Sequence, residues 1–114
     1  MGSPEQQSSA QVVLVGRMGA RLEERELPSG DVVTTFTIVV DRPVPRSAHA
    51  AGTGPRVDAI ACQAFRAATA RKAASLEPGT WVRAEGALRR RFWRSPAGLG
   101  SAMEVEVSRI QRAG

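Results

Sequence analysis

Several residue types are scarce in this 114-residue chain, and each scarcity closes off a class of function. Cys62 is the only cysteine, so no intrachain disulfide forms, and a reducing compartment is favoured. His49 is the only histidine, and it sits in a Pro/Gly-rich stretch with no acid close by in sequence. One cysteine and one histidine give no metal-ligand spacing. No glycine-rich loop leads into a helix to cradle a phosphate. No catalytic residue, metal or cofactor is therefore expected, and the chain reads as a non-enzyme. No apolar run approaches the roughly 20 residues needed to cross a bilayer. The first residues, Met1 to Ser9, lack a basic then apolar secretory pattern, and residues 1–9 read as a flexible tail. Tyrosine is absent and lysine nearly so, with Lys72 alone against 15 arginines. Only three Phe and two Trp remain, few enough that each can be weighed on its own.

What is present points to one small folded domain. Hydrophobic residues make up 42% of the chain, enough for a core and too many for a disordered segment. The net charge of +5 is unevenly placed. Residues 42–94 hold 11 basic groups and 3 acids (Asp58, Glu77 and Glu85), a balance of +8, while the rest carries −3. Such a stretch suits a polyanion, either nucleic acid or an anionic membrane surface. The plainer alternative is a solvated face in an arginine-rich chain.

Residues 12–15 are apolar and mostly β-branched, a strand signal, with Gly16 and Gly19 beyond. Residues 21–27 are polar, Pro28-Ser29-Gly30-Asp31 is a turn signal, and 32–40 form a second strand, the two making a hairpin. Val32, Thr34, Phe36, Ile38 and Val40 share one side of it. A long loop follows over about 41–56, with Pro43, Pro45, Gly52, Gly54 and Pro55. A loop that long in a compact domain is functional or disordered. Residues 57–65 alternate as a third strand, with Ile60 and Cys62 on one face and Phe65 on the other. Residues 66–76 are alanine-rich and predict a helix, ended by Pro78-Gly79. Residues 80–93 make a long strand with a bend or bulge at Gly86. Ser95-Pro96-Ala97-Gly98 turns the chain, and 102–111 close it with Val105 and Val107 facing inward. The fold class is all-β: a five-stranded barrel with one helix between the third and fourth strands, the pattern of the OB fold. An SH3-like or other small barrel fits the same pattern.

The strongest local feature is Arg89-Arg90-Arg91-Phe92-Trp93-Arg94. Alternation on a strand puts Arg89, Arg91 and Trp93 on one face and Leu88, Arg90 and Phe92 on the other. Two guanidinium groups beside an indole suit phosphates with a base stacked on the ring, a contact worth roughly 1–3 kcal/mol per base. The competing reading is a Trp that closes the barrel end, with arginines guarding an edge strand. Phe65 is either a second platform or the first residue packing the helix. Trp81 suits the edge of the core or a subunit contact. Phe36 and Cys62 read as core, the latter a buried inert thiol. Glu104 and Glu106 read as surface charges.

Taken in series, these segments resemble the bacterial single-stranded DNA-binding proteins. Val12-Val13-Leu14-Val15-Gly16-Arg17-Met18 is similar to that family's opening strand, and Arg25 with Pro28-Ser29-Gly30 to its first hairpin turn. Phe36-Thr37-Ile38-Val39-Val40-Asp41-Arg42, Asp58-x-Ile60-x-Cys62-x-x-Phe65-Arg66, Gly79, Glu85-Gly86-x-Leu88-Arg89-x-Arg91-x-Trp93 and Glu104-Val105 continue the match over about residues 10–112. The resemblance implies an OB-fold domain over 10–112 that binds single-stranded DNA with little sequence preference, in replication, recombination or repair. It also implies a homotetramer, or else a dimer, in the cytoplasm at the nucleoid, with no membrane partner. The binding residues it implies are Trp93 and Phe65 as stacking platforms. The basic contacts would be Arg89, Arg91 and Arg94, with Arg17, Arg42, Arg46 and Arg56. Two further platforms, ordinarily aromatic, are Ala59 here and the Pro43-Val44 stretch, so binding leans on arginine. No acidic segment follows residue 112, so partners recruited through an acidic tail are not expected for this chain. Two other readings stay open: an OB-fold primosomal or other protein-interaction module with weak nucleic-acid binding, and an RNA-binding OB module, since nothing identifies a 2′-hydroxyl contact.

Overall fold

The computed structural model describes residues 8–43 and 56–114. Five strands and one helix run in the order β1 (Gln11–Glu26), β2 (Val32–Asp41), β3 (Val57–Ala64), α1 (Ala67–Ser75), β4 (Trp81–Ser95) and β5 (Gly98–Arg112). The strands close into a barrel in the order β1-β2-β3-β5-β4. All pairings are antiparallel except β3 with β5, a short parallel contact through Cys62 opposite Val105 and Gln63 opposite Glu106. This is the five-stranded OB barrel with its helix between the third and fourth strands. Closure removes the open sheet edges that a five-stranded sheet would otherwise expose.

The core follows the alternation of the strands. Met18, Phe36, Ile38, Cys62, Ala64, Val82, Ala84, Val105, Val107 and Ile110 point inward and are buried. Helix α1 adds Ala73, one turn after the buried Thr69, and is followed by the buried Leu76. The Thr69 hydroxyl donates to the Ser108 carbonyl at 3.1 Å and ties the helix to β5.

Three departures from the sequence reading have physical causes. Residues 11–26 form one continuous strand rather than a short strand and a separate polar segment. β1 carries two extra residues opposite β2 between Met18 and Leu22. An excess of two preserves the alternation, so the odd-numbered residues from Arg17 to Arg25 keep one face. Val32 is exposed although Thr34, Phe36 and Ile38 on its side are buried; it pairs with Glu26 beside the turn, where the hairpin outruns the core. Glu104 is buried rather than surface-like, and is taken up below. The bulge expected near Gly86 is present: Glu85 pairs with Arg109 and Gly86 with Val107, leaving Ser108 without an opposite residue. A Cβ on Gly86 would lie 2.1 Å from the Glu106 carbonyl oxygen, so only glycine fits where the two backbones close in.

The long loop leaves the barrel through a closed neck. The Arg42 N–H donates to the Arg56 carbonyl at 2.8 Å, and the Arg42 guanidinium pairs with Asp58 at 2.8 Å. The loop interior, with Val44, Arg46 and His49, and the first seven residues of the expected tail lie outside the described residues.

Candidate nucleic-acid interface

The two-residue turn at Pro96-Ala97 sets the register of the β4–β5 hairpin, with Ser95 opposite Gly98, Trp93 opposite Gly100, Arg91 opposite Ala102 and Arg89 opposite Glu104. Arg89, Arg91 and Trp93 therefore share one face, as alternation requires. The Trp93 ring lies against Gly100 so closely that a Cβ there would sit 2.5 Å from the indole. Glycine opposite the tryptophan gives the ring a flat seat across the strand. The Arg91 guanidinium carbon stands 5.3 Å from the ring centroid, within cation–π range. The ring is still 42% exposed.

The arginines on this face are not bare. Arg89 Nε pairs with Glu106 Oε2 at 2.9 Å and Arg91 Nε with Glu104 Oε1 at 2.8 Å. Each pair is diagonal across the ribbon, where long side chains meet. Glu104 is only 8% exposed, and its second carboxylate oxygen has no hydrogen-bond partner. By sequence both glutamates read as surface charges, which for Glu104 is incorrect. The register of the Pro96-Ala97 turn was the available signal, because counting back from it sets Glu104 and Glu106 against Arg89 and Arg91.

Phe65 follows the last residue of β3, half-exposed at the junction with α1. It lines a groove with Arg66, Arg89, Gly86 and the start of β1, and a second one with Ala67, Ala70 and Ala74 of the helix. Phe65 thus faces open grooves on both sides, one toward Arg89 and one along the helix, and is not packed into the core. Trp93 is not among the residues of Phe65's groove, but Arg89 belongs to that groove and to Trp93's face. Another groove brings Arg21 and Arg25 of β1 to Arg91 and Glu104. Arg21 and Arg25 were missed in the sequence, although their odd-number alternation with Arg17 marks them as one face.

The remaining expected residues scatter. Arg17 pairs with Asp41 at 2.7 Å and stacks over Trp81 at 5.5 Å. Arg42 holds Asp58 at the loop neck, and that hydrogen bond pulls the Asp58 carboxyl below its usual range. Arg94 stands opposite Leu99 on the other face of the hairpin. Ala59 is exposed and pairs with Val39 on the outer face of the barrel. Trp81 is half-exposed beside Arg17, with Val13 and Val15 also exposed on β1. Cys62 is buried, and burial pushes its thiol up to about 12, which keeps it from acting as a nucleophile.

Residues 9–113 match the profile of the single-strand binding protein family. The chain belongs to that family. A single-stranded DNA-binding protein of Thermotoga maritima is 38% identical to it over 106 residues, covering 89% of this chain and 70% of the relative. Among solved structures, the Plasmodium falciparum SSB in complex with ssDNA matches with a TM-score of 0.78 at 19% identity, covering 96% of this chain and 98% of that one. The mitochondrial single-stranded DNA-binding protein Rim1 of S. cerevisiae matches with a TM-score of 0.68 at 14% identity, covering 93% and 96%. At these identities the two structures show the shared fold, while the profile and the Thermotoga relative show the family.

Proposed function

We infer that the protein binds single-stranded DNA with little sequence preference and without catalysis, through Trp93, Phe65 and the arginines around them. Family membership supports the activity. The observation that carries the choice of face is the seat of Trp93: an exposed indole laid flat on Gly100, beside Arg91 at 5.3 Å. Every base has a π-face, so a ring held this way stacks on any of them. Arg89 and Arg91 supply positive charge along the same row, and Arg89 links it to the Phe65 groove. A phosphate approaching either arginine shares it with a glutamate. Contacts at Arg89 and Arg91 are thus weaker than a free guanidinium would give, and stacking carries more of the affinity.

The same reading places the protein in replication, recombination or repair in the cytoplasm. Among the described residues no helix is long and apolar enough to cross a membrane. It also makes the protein a homotetramer, for which the exposed Val13, Val15 and Trp81 on the outer face of β1 and β4 supply an apolar strip suited to a second copy.

Adding poly-dT while following tryptophan emission tests the reading. Quenching is expected in the wild type and in Trp81→Phe, and most of it is expected to vanish in Trp93→Ala. Unchanged affinity in both Trp93→Ala and Phe65→Ala would contradict stacking at these residues.

A further inference from the structure

Beyond Ala87 on β4 the strand leaves β1, and before Val105 on β5 the strand has not yet reached β3. Between these points β4 and β5 pair only with each other, and apart from the buried Glu104 both faces of the ribbon meet solvent. One face is Trp93's, where the arginines are matched by Glu104 and Glu106. The other carries Leu88, Arg90, Phe92 and Arg94 on β4, facing Leu99, Ser101 and Met103 on β5. It holds no acid. Arg90 donates to the Ser101 hydroxyl at 3.1 Å, and Arg94 makes no ion pair among the described residues. Phe92 is 68% exposed and Leu99 75%, the largest exposures among the big apolar side chains described.

Alternate residues of a strand stand about 7 Å apart, so Arg90, Phe92 and Arg94 form a row of cation, ring and cation. Leu99 and Met103 are the diagonal neighbours of Phe92 and widen the apolar platform. We propose that this second face is a track for single-stranded nucleic acid, with a base stacked on Phe92 and phosphates on Arg90 and Arg94. A strand held at Trp93 then continues over the hairpin onto its other side. The proposal rests on the reading of Trp93's face and extends it. Charge selects the occupant. Two copies of this face brought together would oppose four arginines with no carboxylate between them, whereas a polyanion neutralises them.

The test uses the full chain and 5′-labelled dT strands of increasing length, read by anisotropy so that the signal does not depend on tryptophan. Phe92→Ala is expected to bind the shortest strands as the wild type does. It is expected to bind long ones about tenfold or more weakly, the worth of one stacked base. The pair Arg90→Gln and Arg94→Gln is expected to flatten the salt dependence on long strands, by about 0.7 in log–log slope for each phosphate that is no longer neutralised. A Phe92→Trp reporter with Trp81→Phe and Trp93→Phe is expected to be quenched by long strands and not by short ones. Wild-type affinity for Phe92→Ala at every length, with an unquenched reporter, would overturn the track and leave Trp93's face standing. A fall in sedimenting mass for Phe92→Ala with unchanged DNA affinity would also overturn it, and would assign the face to contact between copies. A wild type that binds no dT strand would overturn the underlying reading along with it.

Discussion

At the scale of single residues, the hairpin works through small choices. Gly100 is one: its missing side chain is what lets Trp93 lie flat. Gly100→Ala is expected to leave the fold intact, because the ring is a side chain that can tilt away. It should still weaken strand binding by part of the ~1–3 kcal/mol that one stacked base contributes. Circular dichroism and a dT titration check the two halves of that statement. Glu106 is another. Its pair with Arg89 is solvent-exposed, so Glu106→Gln is expected to change stability by under about 1 kcal/mol. The arginine it releases should steepen the log–log salt slope of strand binding by about 0.7. An unchanged slope would mean that Arg89 does not meet the backbone. That Trp93, Arg89 and Arg91 share one face was legible in the sequence, since alternation alone puts them there. Their state of pairing was legible only through the register of the Pro96-Ala97 turn, because a strand shows its own period but not, by itself, the diagonal neighbour. Glu104 shows this best: nothing in Met103-Glu104-Val105 marks it as buried, and only the packed ribbon does.

At the scale of elements, the barrel was largely readable and its irregular points less so. Turn residues and alternation locate all five strands and the helix, because each strand has one buried face. The Gly86 bulge was legible because glycine inside a long strand signals close backbone approach. The doubled step in β1 was hidden, since two extra residues leave the alternation unchanged and erase the periodic sign of a bulge. Gly86→Val is expected to be among the costliest single changes. Its Cβ meets backbone at 2.1 Å rather than a movable side chain, so the β4–β5 pairing must open. A loss of roughly 1–3 kcal/mol, as for overpacked sites, is expected. That corresponds to a Tm drop of several degrees at about 4–8 °C per kcal/mol for a domain of this size. An unchanged melting temperature would show that the bulge is not constrained in solution.

For the whole molecule, charge and surface decide behaviour. The excess of arginine over acid predicts salt-dependent binding to any nucleic acid, so affinity for a polyanion alone does not distinguish the proposed function. Assembly is a separate question with its own probe. Val15→Asp with Trp81→Arg places charge in the apolar strip of β1 and β4, and is expected to lower the sedimenting mass below that of a tetramer while leaving the circular dichroism spectrum unchanged. Acid acts through the exposed pairs Arg42–Asp58 and Arg83–Glu85. Hydrogen bonding to the arginine holds each carboxyl below its ordinary pKa. The stability they contribute is full above the usual carboxylate pKa of about 4 and is lost as the pH falls through their lower folded values. A small loss of stability confined to the acid side is the expected result of pH-dependent denaturation. Cys62 supplies a check on the packed barrel, because a thiol buried in the core should resist maleimide at pH 8 until the chain unfolds.

The central claim is that this surface reads unpaired strands by stacking, and direct competition tests it best. Labelled dT bound to the full chain is challenged with unlabelled dT, matched duplex and RNA of equal length at two salt concentrations. Unlabelled dT should displace the label far more effectively than duplex, whose bases are already stacked and cannot reach Trp93 or Phe65, and the advantage should persist at the higher salt. Equal displacement by duplex, falling with salt in parallel with dT, would show a basic surface that counts phosphates and would contradict the account.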